Sequence, residues 1–557
     1  MADQVTRLIS DPAQKRNGAE TDGAKAQGFT LGPESDPFAA NPAQYVADFN
    51  LRIIDAYANS SGSGELPADA GTARSLIPPG TAAVRDFSYV GTELPELVEG
   101  ACVGCMECVT ECPDSAILAR VADEDTLNAA LARVEDAGER EWLRKQWTST
   151  TKYYDAVKKR GEKPGLFGLF VDPTKCKGCG ECVTACGAHN ALHMIHKGND
   201  DVPRLKRAFD FFARLPQTPT HFIREKVLAD MMLSLDRSML YMGGAGSCPG
   251  CGEATAIRMM LAATGFVLGP DSAAIVAATG CNTVFGSTYP YNPFRVPWTN
   301  SLFENATAVA MGMRLRWDQM GWKSKRVWAI GGDGAIYDIG FGSLSRMLAS
   351  GMDIKVLVLD TQVYSNTGGQ TSTASFTAQP SKMSPFGKAT EGKQERRKEL
   401  GLLAIMHPDV FVAQTTCANI NHFYRSIMEA NSYPGPAVVN VYATCQPEHG
   451  VGEECSVTQA RLAVESRAYP LFVHDPRKGS RLSERLSLQG NPNIAADWTI
   501  DPKTKKPFTF IDFARTEARF AKHFDRDGNP SEMLRRAEAD RLESWRLLQE
   551  LAGARKA

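Results

Sequence analysis

Eight of the fourteen cysteines in this 557-residue chain fall in two runs of one pattern. The first is Cys102-x2-Cys105-x2-Cys108-x3-Cys112, followed by Pro113, and the second is Cys176-x2-Cys179-x2-Cys182-x3-Cys186, followed by Gly187. Three closely spaced thiolates on one tight loop can hold three irons of a [4Fe–4S] cubane, but the loop cannot curl far enough to supply the fourth corner. That corner comes from the start of a helix in the other half. The spacing therefore predicts one cluster on Cys102, Cys105, Cys108 and Cys186, and a second on Cys176, Cys179, Cys182 and Cys112. Gly104, Gly178 and Gly180 suit loops that wrap closely round a cluster. The bland alternative is a pair of structural zinc sites, which take four ligands in two separated pairs. Two matched sets of four in this spacing favour clusters. A secreted disulfide scaffold would be shorter and denser in cysteine. The runs say that electrons pass through this chain, and no more.

Composition removes other classes. Lys plus Arg total 62 against 64 for Asp plus Glu, a net charge of -2, without the basic excess of a nucleic-acid binder. No apolar run approaches the ~20 residues of a membrane span, and the N-terminus lacks a secretory pattern. A cytoplasmic protein is expected. Residues 1–75 read as a flexible extension rich in Ala, Gly, Asp, Asn and Ser. Within it, residues 42–58 have helical spacing, with Tyr45, Val46, Phe49, Ile53 and Ile54 on one face. That helix is either a partner-docking arm or a cap on its own domain. Residues 76–200 carry the two cysteine runs as a bacterial ferredoxin-like domain, with an insertion at 113–175.

From about residue 240 short apolar runs alternate with helical stretches. The runs are 273–278, 326–332, 354–360, 410–414 and 437–443. This order implies an α/β fold with a parallel, doubly wound sheet covered on both faces, whose ligands bind at the C-terminal strand ends. The domain is expected over 201–475. Residues 476–557 read as a packing or subunit-contact extension.

One segment carries specific chemistry. The strand at 326–330 ends in Gly331-Gly332-Asp333-Gly334, and a helix is expected to follow. Glycines let backbone N–H groups and a helix N-terminus approach a diphosphate. Asp333 offers a carboxylate to a divalent cation bridging the phosphates. The next strand ends at Asp360, and the loop Thr361–Asn366 offers a hydroxyl, a carbonyl and an amide to complete the shell. An ordinary Gly-rich turn is the bland reading, but the succession of strand, helix, strand and polar loop matches the diphosphate-binding half of thiamine diphosphate enzymes. Asp338 and Asp353 read as solvated or helix-end charges.

Of the remaining cysteines, Cys248 and Cys251 lie on a turn before a helix, while Cys281 and Cys445 follow strands. Spacing alone leaves two readings for these four: a thiolate set beside a cofactor pocket, or small buried hydrophobes. Cys417 and Cys455 take the second reading. His407, His422 and His449 read as structural, with His449 the one nearest a cysteine of interest.

The segments CPGCGE, ATGCN, GGDGAIYDIGFG, DTQVYSNTGGQ and NSYPGPAVVNVYATC, in this order after a two-cluster domain, closely resemble pyruvate:ferredoxin oxidoreductase, over roughly residues 76–475. The resemblance is to the C-terminal part of the long single-chain form. It implies thiamine diphosphate, Mg2+ and three [4Fe–4S] clusters, the third on Cys248, Cys251, Cys281 and Cys445. It also implies that Glu253 lies near the cofactor, that Asp333, Thr361 and the Val363 carbonyl hold Mg2+, and that Asn366 lies on the diphosphate and substrate side. Gly332, Gly334, Ala335, Gln362, Tyr364 and Ser365 complete the implied cofactor set, with Glu253 and Asn366 as the implied catalytic residues.

The implied reaction is oxidative decarboxylation of pyruvate with coenzyme A as acyl acceptor, reversible in principle, with ferredoxin or flavodoxin taking the electrons. Another 2-oxo acid such as 2-oxoglutarate is the alternative. Pyrimidine-binding and gamma-like domains are absent, so the resemblance places them on a separate subunit in a dimer of heterodimers, without which this chain is inactive. Two other classes compete: a pure electron-transfer subunit with a degenerate thiamine fold, and a non-oxidative decarboxylase. The Asp333, Thr361 and Asn366 set argues against the first. The eight paired-run cysteines argue against the second.

Overall fold

The computed structural model describes residues 42–59, 66–69 and 71–555. Residues 1–41, 60–65 and 70 of the expected flexible extension lie outside the described residues. Residues 42–59 are helical throughout, in three consecutive pieces (Pro42–Phe49, Asn50–Ile54 and Asp55–Asn59). Phe49 and Ile53 are buried, and the helix packs on Tyr289 and Tyr291 of the same chain.

The two cysteine runs form a pseudo-symmetric pair. Each run enters a short helix, Glu107–Glu111 and Glu181–Cys186, and the two helices pack together. Strand β1 (Glu93–Leu97) is closed by the later β5 (Leu192–His196), antiparallel to it. The stretch between the runs builds a second small sheet from β2 (Ile117–Ala122), β3 (Trp147–Thr148) and β4 (Leu166–Val171), in the order β2-β4-β3. Helices Glu124–Leu131 and Ala137–Lys145 start on Asp123 and Asp136, whose carboxylates accept the amides of Thr126 and Glu139. Such caps satisfy N–H groups that the first helical turn leaves open. With helix Asp201–Arg214 this stretch has a core of its own, built on Leu127, Leu143, Phe170 and Phe212.

The larger unit is an eight-stranded sheet. Its strands are β6 (Ala273–Ala278), β7 (Trp298–Ser301), β8 (Arg326–Gly332), β9 (Ile354–Asp360), β10 (Phe411–Thr416), β11 (Ala437–Tyr442), β12 (Phe472–His474) and β13 (Leu486–Ser487), in spatial order β13-β12-β10-β11-β9-β8-β6-β7. The six strands from β10 to β7 run parallel. β12 and β13 extend the sheet antiparallel. Residues 472–474, and 486–487 from the stretch read as a packing or subunit-contact extension, thus complete the main sheet. The reason they were illegible is length: two- and three-residue strands leave no periodicity.

The continuous apolar runs become strands buried on both faces. Ile275, Trp328, Leu357 and Val439 point to one face, and Val276, Val327, Val356 and Val438 to the other. The first of these cores runs on without a break into the ferredoxin-like unit, through Val109, Phe167 and Leu169. Helix Gly252–Leu268 lies at that junction and is buried almost all round, which a helix apolar on every side requires. Met259, Met260 and Leu261 have no exposed surface, and full burial of each contributes about 1.5–3 kcal/mol.

Chain order locates a crevice. From β6 the chain goes out to edge strand β7 and returns on the other side of β6 as β8. Such a reversal opens a cleft beyond the C-terminal strand ends. Cys281 follows β6 and Asp333 follows β8, so both stand at this cleft. Among the described residues no helix is long and apolar enough to cross a membrane.

Candidate functional site

Asp333 follows β8 with no exposed surface. One carboxylate oxygen, Oδ1, accepts the Thr361 amide (3.2 Å) and hydroxyl (3.1 Å). The Thr361 hydroxyl is also 3.1 Å from the Val363 carbonyl oxygen. Ligand edges in an octahedral Mg2+ shell with bonds of 2.0–2.1 Å are about 3 Å long. Two of the three edges among the expected oxygens thus have the length a cation shell would need. Ser372 donates to the other Asp333 oxygen.

The neighbouring carboxylate differs. Asp360 is equally buried, but it is paired with Arg397 and accepts from the Tyr337 hydroxyl (2.6 Å). Among the described residues no cationic side chain pairs with Asp333 in this way. Burial, with Asp360 close by, pushes the Asp333 carboxyl up to about 8. That is the direction for an anion whose counter-charge comes from outside the chain.

The loop after β9 owes its shape to Gln362, which has a left-handed backbone (φ 58°). Its side-chain amide donates to the Asp360 carbonyl (2.5 Å), and its own carbonyl accepts from Ser375 (2.6 Å) and Gln379 (2.9 Å). This aims the Val363 carbonyl back at Thr361. Behind Asp333 the chain makes one wide turn, Gly334–Ile339, before the regular helix Phe341–Ala349. Gly334 has a packing reason to be glycine, because a Cβ there would lie 2.3 Å from the Tyr364 ring. Asp338, read as solvated, is half-buried and accepts from the Tyr364 hydroxyl (3.1 Å) and the Thr373 amide (3.1 Å), tying the turn to the loop.

A crevice opens in front of this set. Of the expected residues, Glu253, Cys281, Gly332, Gly334, Ala335, Thr361, Val363, Tyr364, Ser365 and Asn366 line it. Asp333 lies directly behind Thr361. Gln362 is not in the crevice, because both its polar groups are spent on shaping the loop. Residues not singled out also line it: Thr279, Gly280, Asn282 and Phe303. Asn282 is the most informative, buried with neither atom of its amide hydrogen-bonded among the described residues. One Glu253 oxygen is in the same position, and burial, then Asp333, pushes that carboxyl up to about 8. Buried polar groups without partners are rare in a finished fold, and two beside one crevice fit a ligand that supplies the partners. Asn282 follows Cys281 in ATGCN, so its position at a strand end was a readable signal.

The second group of cysteines also converges. Cys251, Cys281 and Cys445 each lie close enough to Glu253 for its charge to push their thiols up, and Cys248 acts in the same way on Cys251 and Cys281. The larger cause for all three is burial. Cys445 is hydrogen-bonded to Ser365, a crevice residue. Cys417 is buried and belongs to the core. Cys455 lies beside Glu454.

In the ferredoxin-like unit, one void is ringed by Cys102, Cys105, Cys108 and Cys186, and another by Cys176, Cys179, Cys182 and Cys112. Each run gives three cysteines to one void and its fourth to the other. The two exchanged sulfurs are held alike: Cys112 accepts the Ala116 amide (3.3 Å) and Cys186 the Ala191 amide (3.2 Å). Gly104, Gly178 and Gly180 are all left-handed. Met106, in the place that Gly180 takes in the second run, adopts the same conformation at φ 74°. Among the described residues no three His, Cys, Asp or Glu side chains close on a single ion. The cysteines surround space instead. Burial raises the thiols of Cys108, Cys112, Cys176, Cys179 and Cys182, so a metal must be present for them to act as thiolates.

The C-terminal segment also reaches the cation loop. His449 is fully buried, and its Nε2 lies 2.9 Å from the Thr361 carbonyl oxygen. Only Nε2–H can donate there, which leaves Nδ1 as an unprotonated nitrogen 3.5 Å from Glu517. Burial holds the imidazole neutral, well below its usual range. Arg519 pairs with Glu517 (2.6 Å) and donates to the Gln362 side chain (3.3 Å). Residues 517 and 519 were read only as packing. Their role depends on contacts with His449 and Gln362, far back along the chain, which no local pattern encodes.

Comparison with known proteins bears on these features. Residues 278–441 match the family of thiamine pyrophosphate enzymes through their C-terminal TPP-binding domain. Residues 169–189 match the 4Fe-4S binding domain. The chain is 30% identical over 478 residues to the "Probable pyruvate-flavodoxin oxidoreductase" of Escherichia coli, covering 72% of this chain and 38% of that one. It spans 38, 41 and 45% of three such long relatives, so it corresponds to less than half of each. A solved 2-oxoglutarate:ferredoxin oxidoreductase from Magnetococcus marinus is 24% identical, covering 36% of this chain and 64% of that one at a TM-score of 0.31. The "Pyruvate synthase subunit PorB" of Pyrococcus furiosus is 38% identical over 234 residues, covering 41% of this chain and 70% of that subunit. That match takes in most of a short relative, and by it this chain belongs to the pyruvate:ferredoxin and pyruvate-flavodoxin oxidoreductase family.

Proposed function

We propose that this chain is the thiamine diphosphate-binding, electron-transferring part of a coenzyme A-dependent 2-oxo acid:ferredoxin oxidoreductase, with pyruvate as substrate and three [4Fe–4S] clusters. The observation that carries the reading is one crevice shared by two chemistries. Cys281, of the proposed third cluster, lines the same crevice as Thr361, Val363 and Asn366. An electron acceptor beside the site of carbon chemistry is what an oxidative decarboxylase needs and a non-oxidative one does not.

In this reading Asp333, the Thr361 hydroxyl and the Val363 carbonyl hold Mg2+. Gly332 and Gly334 leave room for the diphosphate, while Asn282, Glu253 and Asn366 face the cofactor and substrate. Bound thiamine diphosphate supplies the nucleophilic carbon and the electron sink for loss of CO2 from a 2-oxo acid. Conversion of pyruvate and coenzyme A to acetyl-CoA and CO2 releases two electrons, and a cluster accepts one at a time. Cys248, Cys251, Cys281 and Cys445 hold the first acceptor, and the two exchanged sets hold the next pair. A separate subunit with the pyrimidine-binding and gamma-like domains completes the site in a dimer of heterodimers. Ferredoxin or flavodoxin takes the electrons.

The test is the co-expressed complex. About twelve irons per copy of this chain are expected, with coenzyme A-dependent reduction of ferredoxin by pyruvate. About eight irons would remove the third cluster, and turnover of 2-oxoglutarate in place of pyruvate would reassign the substrate. Aldehyde in place of acyl-CoA would overturn the oxidative reading.

A further inference from the structure

Arg258 stands two helical turns after Cys251 on helix Gly252–Leu268, and 1% of its surface is exposed. Its Nη1 donates to the carbonyls of Val109, Thr110 (3.3 Å) and Cys112 (3.1 Å). These are carbonyls at the end of helix Glu107–Glu111, which the helix itself leaves unpaired. Nε and Nη2 have no hydrogen-bond partner among the described residues. The guanidinium therefore spends one nitrogen on fixing the backbone of Cys112 and makes no ion pair.

A buried cation normally has an anion. The nearest carboxylate is Asp114, but Asp114 is already paired with Lys177 (2.6 Å), itself buried and donating to the carbonyls of Ala245 (3.0 Å) and Ser247 (2.7 Å). Asp114 is thus taken by Lys177, and Arg258 is left without a carboxylate partner of its own among the described residues. It lies against the residue whose sulfur rings the void of Cys176, Cys179 and Cys182. Away from bulk solvent a charge acts over a longer reach, and net charge is one of the levers on a cluster's potential.

We propose that Arg258 is a positioning residue that raises the reduction potential of the cluster held by Cys112, Cys176, Cys179 and Cys182, while fixing the helix end that presents Cys112. This rests on the functional reading above. The step it biases is the one-electron reduction of [4Fe–4S]2+ to [4Fe–4S]+. The electron comes from the 2-oxo acid in turnover and from a chemical reductant in the test. The added electron is attracted by the uncompensated guanidinium, so the reduced form is favoured.

The experiment is a redox titration of the complete complex, followed by the paramagnetic resonance of each reduced cluster, in the wild type, R258Q and R258K. At the wild-type midpoint R258Q is expected to lower the reduced-to-oxidised ratio of that cluster about tenfold, a shift of ~59 mV. R258K, which keeps the charge, is expected to stay within about twofold, and the third cluster to move less. A merely structural role would change iron content or melting without moving the potential. An R258Q complex with full iron and an unmoved potential overturns the proposal. If R258Q retains no iron there, D114N applies the same field with the opposite sign, and a ratio that fails to rise overturns it equally. A wild-type complex lacking the ferredoxin-type signals altogether would instead refute the functional reading.

Discussion

Replacing His449 by leucine removes one hydrogen-bond donor from behind the cation loop while leaving a side chain of similar bulk. The Thr361 carbonyl, now 2.9 Å from Nε2 in a fully buried place, would lose its partner. An unsatisfied buried acceptor costs about 1–3 kcal/mol. The loop can recover that energy only by rotating the Thr361 peptide toward another donor, which carries the hydroxyl off its 3.1 Å spacing from Asp333 and Val363. If about 1.4 kcal/mol of the cost appears as weaker binding, affinity falls tenfold. Glutamine at the same position can present its amide where Nε2–H stood, so H449Q is expected to bind within about twofold of the wild type. The assay is calorimetric titration of Mg2+ and thiamine diphosphate into the complex after chelation and dialysis, with iron content checked to be unchanged. H449L binding as tightly as the wild type, while melting at a lower temperature, would refute the reasoning. His449 would then be packing alone.

Three further outcomes follow from the geometry. Gly334→Ala sets a Cβ 2.3 Å from the Tyr364 ring, an overpacking of about 1–3 kcal/mol; thiamine diphosphate binding should be lost with the iron retained, and retention of binding would contradict the close fit. Cys186→Ser should remove the cluster of Cys102, Cys105 and Cys108 and spare that of Cys176, Cys179 and Cys182, so that about eight of twelve irons and one ferredoxin-type resonance remain; loss of the Cys176 set instead would reverse the exchange of fourth ligands. His422 is held neutral by burial, its pKa lowered from 6.5 to about 4. The unfolded chain therefore binds the extra proton below pH 6.5, and stability from this residue is present above that value and lost as pH falls toward 4, at about 1.4 kcal/mol per pH unit. His422→Gln should flatten that part of the stability curve in denaturant titrations between pH 6.5 and 4, and an unchanged slope would sink the assignment.

The strands that position the site were legible because burial on both faces writes an uninterrupted apolar run. Three of them, 273–278, 326–332 and 354–360, begin and end where the composition changes. Asp333, Thr361 and Val363 were legible because a strand end followed by Gly-Asp-Gly, and another followed by a polar loop, is a local pattern. The edge strand Trp298–Ser301 was not, since a polar, partly exposed edge has neither alternation nor an apolar run. Nor were the ties of Glu517 and Arg519 to the cation loop. Those residues sit in a charged C-terminal stretch, and their burial depends on where His449 and Gln362 come to lie. Arg258 was hidden differently. In RMMLAAT it reads as one basic residue beside a core helix, and only the packing of a second unit against that helix makes it a buried cation.

That packing gives the junction its physical sense. Helix Gly252–Leu268 opens beside Cys251 and Glu253, at the crevice, and two turns later Arg258 grips the carbonyls that precede and include Cys112. A helix buried along almost its whole length thus sets the distance between the proposed third cluster and the exchanged pair. Lys177 ties the same two units from the other side, through the backbone leading to Cys248. A flexible connection would let that distance vary, and electron transfer between separated centres falls steeply as the gap widens. The two cations explain why the junction is buried and polar at once: each satisfies backbone carbonyls that would otherwise be buried without donors. Replacing both by apolar residues would fill the space, yet it would release the helix end at Cys112 and the loop before Cys248 together, and with them the fixed spacing of the proposed cluster sites.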